Sequence, residues 1–292
     1  MKNVYIITAV TILMFCFNAT NAGVVAPDSS LQRLAGGFKF TEGPAADSNG
    51  GVYFTDIYNN RIHRWSPDTN VTAIRKNTGG ANGLKLDTQG NLYACEGGNR
   101  RITRIDPNGK VTVLCDNYKG KKLNSTNDLW RDKKGGIYFT DPNYGNIKNM
   151  QLDGSYVFYL PPDSNQPILV ADGMNKPNGI VGTKDGSTLY VSDMQGKKTW
   201  VFKINPDPCA PGLSDRKLFA KIGSDGMTLD EKGNLYLTGA GVIVLDPQGN
   251  KIDYIKVPFQ TSNVCFFGPD NNMLFITGRK YIASIKLSVK GQ

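Results

Sequence analysis

Two acids and four amides recur at matched positions along this chain. Counting back 11 or 12 residues from Tyr53, Tyr93, Tyr138, Tyr190, Tyr236 and Phe275 reaches Glu42, Asn82, Asn127, Asn178, Asp225 and Asn263. If the fold brings them together, they offer oxygen donors only. Such a set suits a hard divalent cation, since Ca²⁺ takes six to eight oxygens at roughly 2.3–2.6 Å. Two carboxylates neutralise the ion, and the amides add oxygens without further charge. The ring contains neither His nor Cys, which argues against a soft-metal centre. Ca²⁺ is the ion expected, with Mg²⁺, Mn²⁺ and Zn²⁺ as alternatives. A cation with open positions is a Lewis acid that polarises a carbonyl or phosphoryl oxygen and acidifies water. Asp225 can ligate such an ion and keep one oxygen free as base or nucleophile. The competing explanation is ordinary turn chemistry, because Asn and Asp before Gly are common in turns. That explanation carries equal weight at any single position. It weakens across six in register and holds best at Asn263, which with Asn178 sits 12 rather than 11 residues before its aromatic.

The elements that must position these residues are repeated. Six segments share an order of polar residue, apolar strand, Gly or Asn turn, and aromatic-bearing strand. They begin at Thr41, Ala81, Thr126, Pro177, Ser224 and Ser262, and their aromatics are separated by 40, 45, 52, 46 and 39 residues. Repeats of this length, built from short strands and tight turns, predict an all-β fold: a six-bladed β-propeller with four-stranded blades. The second repeat shows all four strands, "NGLKLD", "NLYACE", "RITRID" and "KVTVLCD". The sixth stops after "YIASIKL", one strand short, while "LQRLAGG" near the N-terminus belongs to no repeat. Pairing the two closes the ring and removes two sheet edges. Two packed β-sandwiches would leave the common register unexplained. In a propeller the innermost strands border the central channel, so their first residues meet near the axis at one end.

Composition agrees with a turn-dense β chain: 292 residues with 33 Gly and 15 Pro. Lys2 followed by an apolar run from Val4 to Phe17 and small residues at Thr20 and Ala22 reads as a leader. Residues 1–22 are therefore expected to be a signal peptide, leaving a single domain over 23–292 that is periplasmic or secreted. The run is too short to span a bilayer, and no second run approaches that length. Without the leader the chain keeps 33 bases against 25 acids. They are scattered, with no arginine stripe or aromatic platform, so nucleic acid is not an expected partner. A monomer or weak dimer is expected. Cys95, Cys115, Cys209 and Cys265 remain, and in an oxidising compartment they allow three full pairings or free buried thiols.

The same residues resemble the gluconolactonase and senescence-marker (regucalcin-like) lactonase family of six-bladed propellers. The resemblance spans about residues 36–287 and rests on "FTEGP", "NGLKLDTQGNLYACEGGNRRITRID", "NDLWRDKKGGIYFTDPNYG", "KPNGI" with "LYVSD", and "SDGMTLDEKGNLYLTG". It implies metal ligands at Glu42, Asn127, Asn178 and Asp225, with Asp225 also the catalytic carboxylate. Animal members carry Arg two residues before the Asn ligand, where this chain has Ser125. Many gluconolactonase-like members carry His after the "CE" pair, where this chain has Gly97. The expected activity is hydrolysis of small cyclic esters such as sugar lactones. The alternatives are phosphotriester hydrolysis at the same ion, or a non-catalytic propeller with a structural calcium ion.

Further residues have two readings each. Asn82, Arg100 and Tyr144 are candidate substrate contacts, against a solvated turn for Arg100 and packing for Tyr144. His63, the single histidine, falls on the third strand of the first blade, away from the expected channel mouth, and reads as packing. Residues 115–126 suit an entrance loop and 205–215 a surface loop. Asn70 and Asn124 begin glycosylation sequons that matter only in a eukaryotic secretory host.

Overall fold

The computed structural model describes residues 23–144, 149–207 and 211–292. The expected leader at 1–22 and Cys209 lie outside them. The chain forms six four-stranded antiparallel sheets, each a consecutive meander except the last. The innermost strands are Thr41–Ala46, Ala81–Leu86, Leu129–Arg131, Pro177–Gly182, Met227–Leu229 and Asn263–Phe267. This is the six-bladed propeller that the repeats predict. The described residues contain no helix long and apolar enough to cross a membrane.

Burial explains the repeat. The second strand of each blade is covered on both faces, as in Leu92–Glu96 and Ile137–Asp141, where every residue is buried. Such strands read as continuous apolar runs carrying the recurring aromatic. Outer strands such as Asn70–Lys76 and Leu213–Ala220 face solvent and are correspondingly charged. The acid that precedes the inner hairpin in four blades, Asp47, Asp87, Asp132 and Asp230, also has a structural job. Asp87 Oδ1 accepts the N–H groups of Gln89 and Asn91, and Asp230 Oδ1 those of Lys232 and Asn234. Their second oxygens accept the hydroxyls of Tyr93 and Tyr236, each at 3.1 Å. The "D…GNLY" signature is therefore a turn locked to the aromatic of the next strand.

Closure occurs where the sequence predicts it. Gln32–Gly36 pairs antiparallel with Tyr281–Lys286 as the outermost strand of the sixth blade. The seam between sixth and first blades is aromatic. Phe275, fully buried, lies 5.7 Å from Phe267, 5.9 Å from Trp65 and 6.0 Å from Phe54 between ring centroids. His63 packs into this cluster, stacked on Phe54 at 5.3 Å. Burial lowers its pKa, and neither ring nitrogen has a hydrogen-bond partner. It is a neutral packing residue away from the axis. Cys95, Cys115 and Cys265 are free thiols. Within 115–126, Asn117–Tyr118 pairs with Lys121–Lys122 as a small hairpin; of the 205–215 loop, residues 208–210 lie outside the described residues and 213–215 belong to the outer strand Leu213–Ala220.

Phe275→Ala should cost about 3–5 kcal/mol in urea unfolding, the range for emptying a buried aromatic site. A loss below about 1 kcal/mol would mean that this seam does not hold the ring closed.

Candidate metal centre and adjoining pocket

The ring residues sit at the starts of the innermost strands, and the glycines that follow them let those strands converge. Gly43 has φ +48°, and a Cβ there would lie only 2.0 Å from the carbonyl oxygen of Asn82 in the next blade. At Gly226 an added Cβ would meet the Asn263 side chain at the same distance. Asn-Gly and Asp-Gly are thus demanded here by close approach of neighbouring blades, not by a turn. Hydroxyls on the second strands tie successive blades together. Thr55 donates to Asn82 O at 3.1 Å, Thr140 to Asn178 O at 2.7 Å, and Thr238 to Ser262 O at 2.9 Å.

The side chains so gathered interact directly. Asn178 Nδ2 donates to Asp225 Oδ1 and to the Tyr144 hydroxyl, both at 2.6 Å. Across the axis, Asn263 Nδ2 donates to Glu42 Oε2 at 3.0 Å, and the Gly43 N–H reaches the same oxygen at 2.6 Å. The sixth position therefore holds Glu42. A third carboxylate, absent from the sequence-derived ring, joins them. Asp128 is buried beside Asn127 and raises the pKa of Glu42. Its neighbour across the seam is Gly83, where a Cβ would lie 2.5 Å from Asp128 Oδ1. The signal was present in "TND", the one repeat with an acid where four others have Gly.

The electrostatics show carboxylates short of positive charge. Burial, followed by repulsion from Asp225 and Asp128, raises Glu42 well above the usual carboxylate range. Burial pushes Asp128 up to about 7 and Asp225 up to about 6, the latter against the Asn178 hydrogen bond and the more distant Arg279. Among the described residues no Lys or Arg lies within 4.0 Å of any of the three. Nor do the described residues contain three His, Cys, Asp or Glu side chains grouped as a metal cluster. The donor set is instead two acids with amides, and desolvated acids lacking a cationic partner fit a hard divalent ion.

Above the ring opens a pocket of about 480 Å³ that includes Glu42, Asn82, Asn127, Tyr144 and Asp225, with Phe40, Ile57 and Met194 as its apolar wall. The structure thus brings together five of the seven predicted site residues on one surface, with Asn178 directly behind Asp225. Arg100 lies farther out. Its guanidinium donates to the carbonyls of Leu123 and, at 3.1 Å, of Asn149. It braces two loops and lies outside the wall of this pocket. At the opposite end of the channel, Lys85, Trp130, Thr228 and Cys265 line a narrower chamber of about 160 Å³.

The pattern of the SMP-30/Gluconolactonase/LRE-like region matches residues 40–280, nearly the whole ring. The chain belongs to this family. Within it, the chain is 32% identical to a gluconolactonase from Zymomonas mobilis, with 89% of this chain and 82% of that protein covered. A gluconolactonase of solved structure from Xanthomonas campestris superposes with a TM-score of 0.83 at 33% identity, covering 90% of this chain and 91% of the other. A solved structure described as a putative gluconolactonase gives 0.84 at 32% identity, with coverage of 92% and 96%.

Folding raises the pKa values of Glu42, Asp128 and Asp225, so the native state holds their protons more tightly than the unfolded chain. The resulting stability is present in acid and lost as pH rises through about 6 to 7. In chelator, the thermal midpoint should therefore fall from about pH 5 to about pH 7.5, a window above the depressed pKa values of Asp47, Asp87 and Glu96. Added Ca²⁺ should restore it at the higher pH. A metal-independent midpoint would count against a cation at this ring.

Proposed function

We propose that this chain hydrolyses small cyclic esters of the sugar-lactone type at a divalent cation, Ca²⁺ foremost, held by Glu42, Asn127, Asn178 and Asp225. The observation that carries the reading is the convergence of desolvated acids and amides at the floor of a pocket, in a chain whose relatives include gluconolactonases. When bound, the cation supplies Lewis acidity toward the ester carbonyl and toward water.

The chain's own residues account for the rest. Asp225 has one oxygen occupied by the Asn178 amide at 2.6 Å, which fixes the plane of the carboxylate. Its other oxygen carries no protein hydrogen bond among the described residues, and Asp225 lines the pocket. A carboxylate that shares a divalent cation is ionised at neutral pH but a weak base, so the cation's acidification of water has to supply much of the activation. Asp225 Oδ2 takes a proton from the attacking water as its oxygen adds to the lactone carbonyl carbon. The acyl C–O bond of the ring then breaks, and the proton held by Asp225 passes to the leaving ring oxygen, giving the alcohol of the hydroxy acid and restoring the carboxylate. Asn82, on the same wall, donates to a substrate hydroxyl. The Tyr144 hydroxyl accepts from Asn178 and stays protonated, because burial and the nearby Asp225 and Glu42 raise its pKa. Phe40, Ile57 and Met194 keep one side of the pocket dry.

Proton release with a six-carbon aldonolactone tests the reading. Asp225→Asn should lower kcat by about 10²–10⁴-fold with the fold retained, the range for loss of a general base. Chelation should abolish turnover and Ca²⁺ should restore it, while His63→Leu should leave kcat unchanged. Full turnover in chelator would sink the metal assignment, and turnover of phosphotriesters alone would replace the substrate class.

A further inference from the structure

Arg104 is denied the partner that its counterpart has in the first blade. There Arg64, which faces Tyr53 across the sheet, binds Asp47 Oδ2 at 2.7 Å. Gly51 leaves room for it, because a Cβ at that position would run into the guanidinium. Gly136 does the same in the third blade for Tyr159, which donates to Asp132 Oδ2 at 3.0 Å. The second blade has Asn91 at this point of the turn. Asn91 Nδ2 and the Tyr93 hydroxyl occupy Asp87 Oδ2 at 3.0 and 3.1 Å. Arg104, which faces Tyr93, forms no ion pair with that acid. The fifth blade has the same turn, with Asn234 on Asp230, but the facing residue there is Val244. Of these four hairpins, the second is the one that leaves a cation unclaimed.

A second arginine comes to the same place. Arg131 ends the third blade's innermost strand, and its guanidinium carbon lies 5.0 Å from the centroid of the Tyr93 ring. Among the described residues neither guanidinium forms a hydrogen bond or an ion pair. Both are near enough to the Tyr93 hydroxyl to act on it electrostatically. The two line a cleft of about 950 Å³ between the second and third blades, built on the turns at 87–91, 132–136 and 161–165, all within the described residues. The strand Ala81–Leu86 runs from Asn82 at the metal ring to this turn, so the cleft opens on the opposite face of the disc and shares no lining residue with the metal pocket. Its other charges do not neutralise the arginines. Asp87 has both oxygens committed to its own turn, Asp163 is exposed, and Lys134 donates to Pro206 O at 3.0 Å. Two like charges beside one ring repel, and an anion between them relieves the repulsion. Guanidinium forks match the paired oxygens of a carboxylate or phosphate. Gln89, Ser164 and Asn165 add amides and a hydroxyl suited to the hydroxyls of a sugar.

We infer that this cleft is a second ligand site, separate from the metal pocket, for a sugar-sized anion whose carboxylate or phosphate lies between Arg104 and Arg131. Its hydroxylated body rests against Gln89, Ser164 and Asn165. The site stands whether or not the metal pocket hydrolyses lactones.

The test titrates the Ca²⁺-loaded protein calorimetrically with three probes that share one pyranose ring: glucose 6-phosphate, glucuronate and glucose. At least one anion should bind with Kd below about 1 mM and about tenfold or more tightly than neutral glucose. The tighter of the two identifies the head group. Arg104→Gln and Arg131→Gln should each weaken that anion by about tenfold, the loss of a charge-assisted hydrogen bond. Arg104 is exposed, so its substitution should leave the thermal midpoint of the unliganded protein unchanged, and it decides the matter if Arg131→Gln proves unstable. No preference for either anion over glucose, or an affinity unaltered in Arg104→Gln, would overturn the site. Affinity that survives both substitutions and vanishes in chelator would place the anion at the metal ring and overturn it equally.

Discussion

The ring is fastened by one contact made over and over. A hydroxyl on the second strand of a blade reaches into the next blade and donates to a main-chain carbonyl at the start of its innermost strand. Thr55, Thr140, Ser192 and Thr238 do this in turn, and at the last boundary Ser262, just ahead of the sixth blade's innermost strand, donates to Thr41 O at 2.6 Å. These carbonyls belong to the ring residues or their immediate predecessors. Blade assembly and site assembly are therefore one event. The side chains at the axis are held by bonds buried from water, where a missing partner is expensive.

That tightness sets the electrochemistry of the axis. Strands pressed together through glycines leave little solvent around Glu42, Asp128 and Asp225, and the raised pKa values record the cost of desolvation and mutual repulsion. The fold tolerates this arrangement because the neighbouring amides of Asn178 and Asn263 supply donors. A buried group of acids is destabilising alone and useful with a cation, which is the usual compromise at functional sites.

Most of the architecture was legible because burial on both faces of the second strands writes an unmistakable aromatic period into the chain. Closure was legible for a complementary reason: one strand too few at the C-terminus and one too many at the N-terminus. The site was legible only as a register. Counting located Glu42 and Asp225, but it could not show that Asn263 is committed to Glu42 and that Asn178 stands behind Asp225. Asp128 escaped because alternation along an ideal strand sends its side chain off the axis, whereas the inner strands carry register shifts at their starts, as between Glu42 and Ala45 or Ala81 and Leu84. Arg100 looked like a substrate contact from its charge, and its partners turned out to be carbonyls in loops remote in sequence.

The second blade hands no hydroxyl forward at all among the described residues. At the position of Thr55 and Thr140 the second blade has Cys95, a buried thiol that hands no hydrogen bond to the third blade among the described residues. That boundary relies instead on Gly83 N–H to Asn127 O at 2.8 Å and Thr126 Oγ to Arg101 O at 3.0 Å. It is also the boundary along which Gly97 and Ser125 lie, at the edge of the pocket. Five junctions of the ring are closed by a buried hydroxyl handed forward, whereas this one is closed by main chain and by a hydroxyl handed back from the third blade. The wall it gives the pocket is therefore shaped by backbone, through Gly97, more than by side chains.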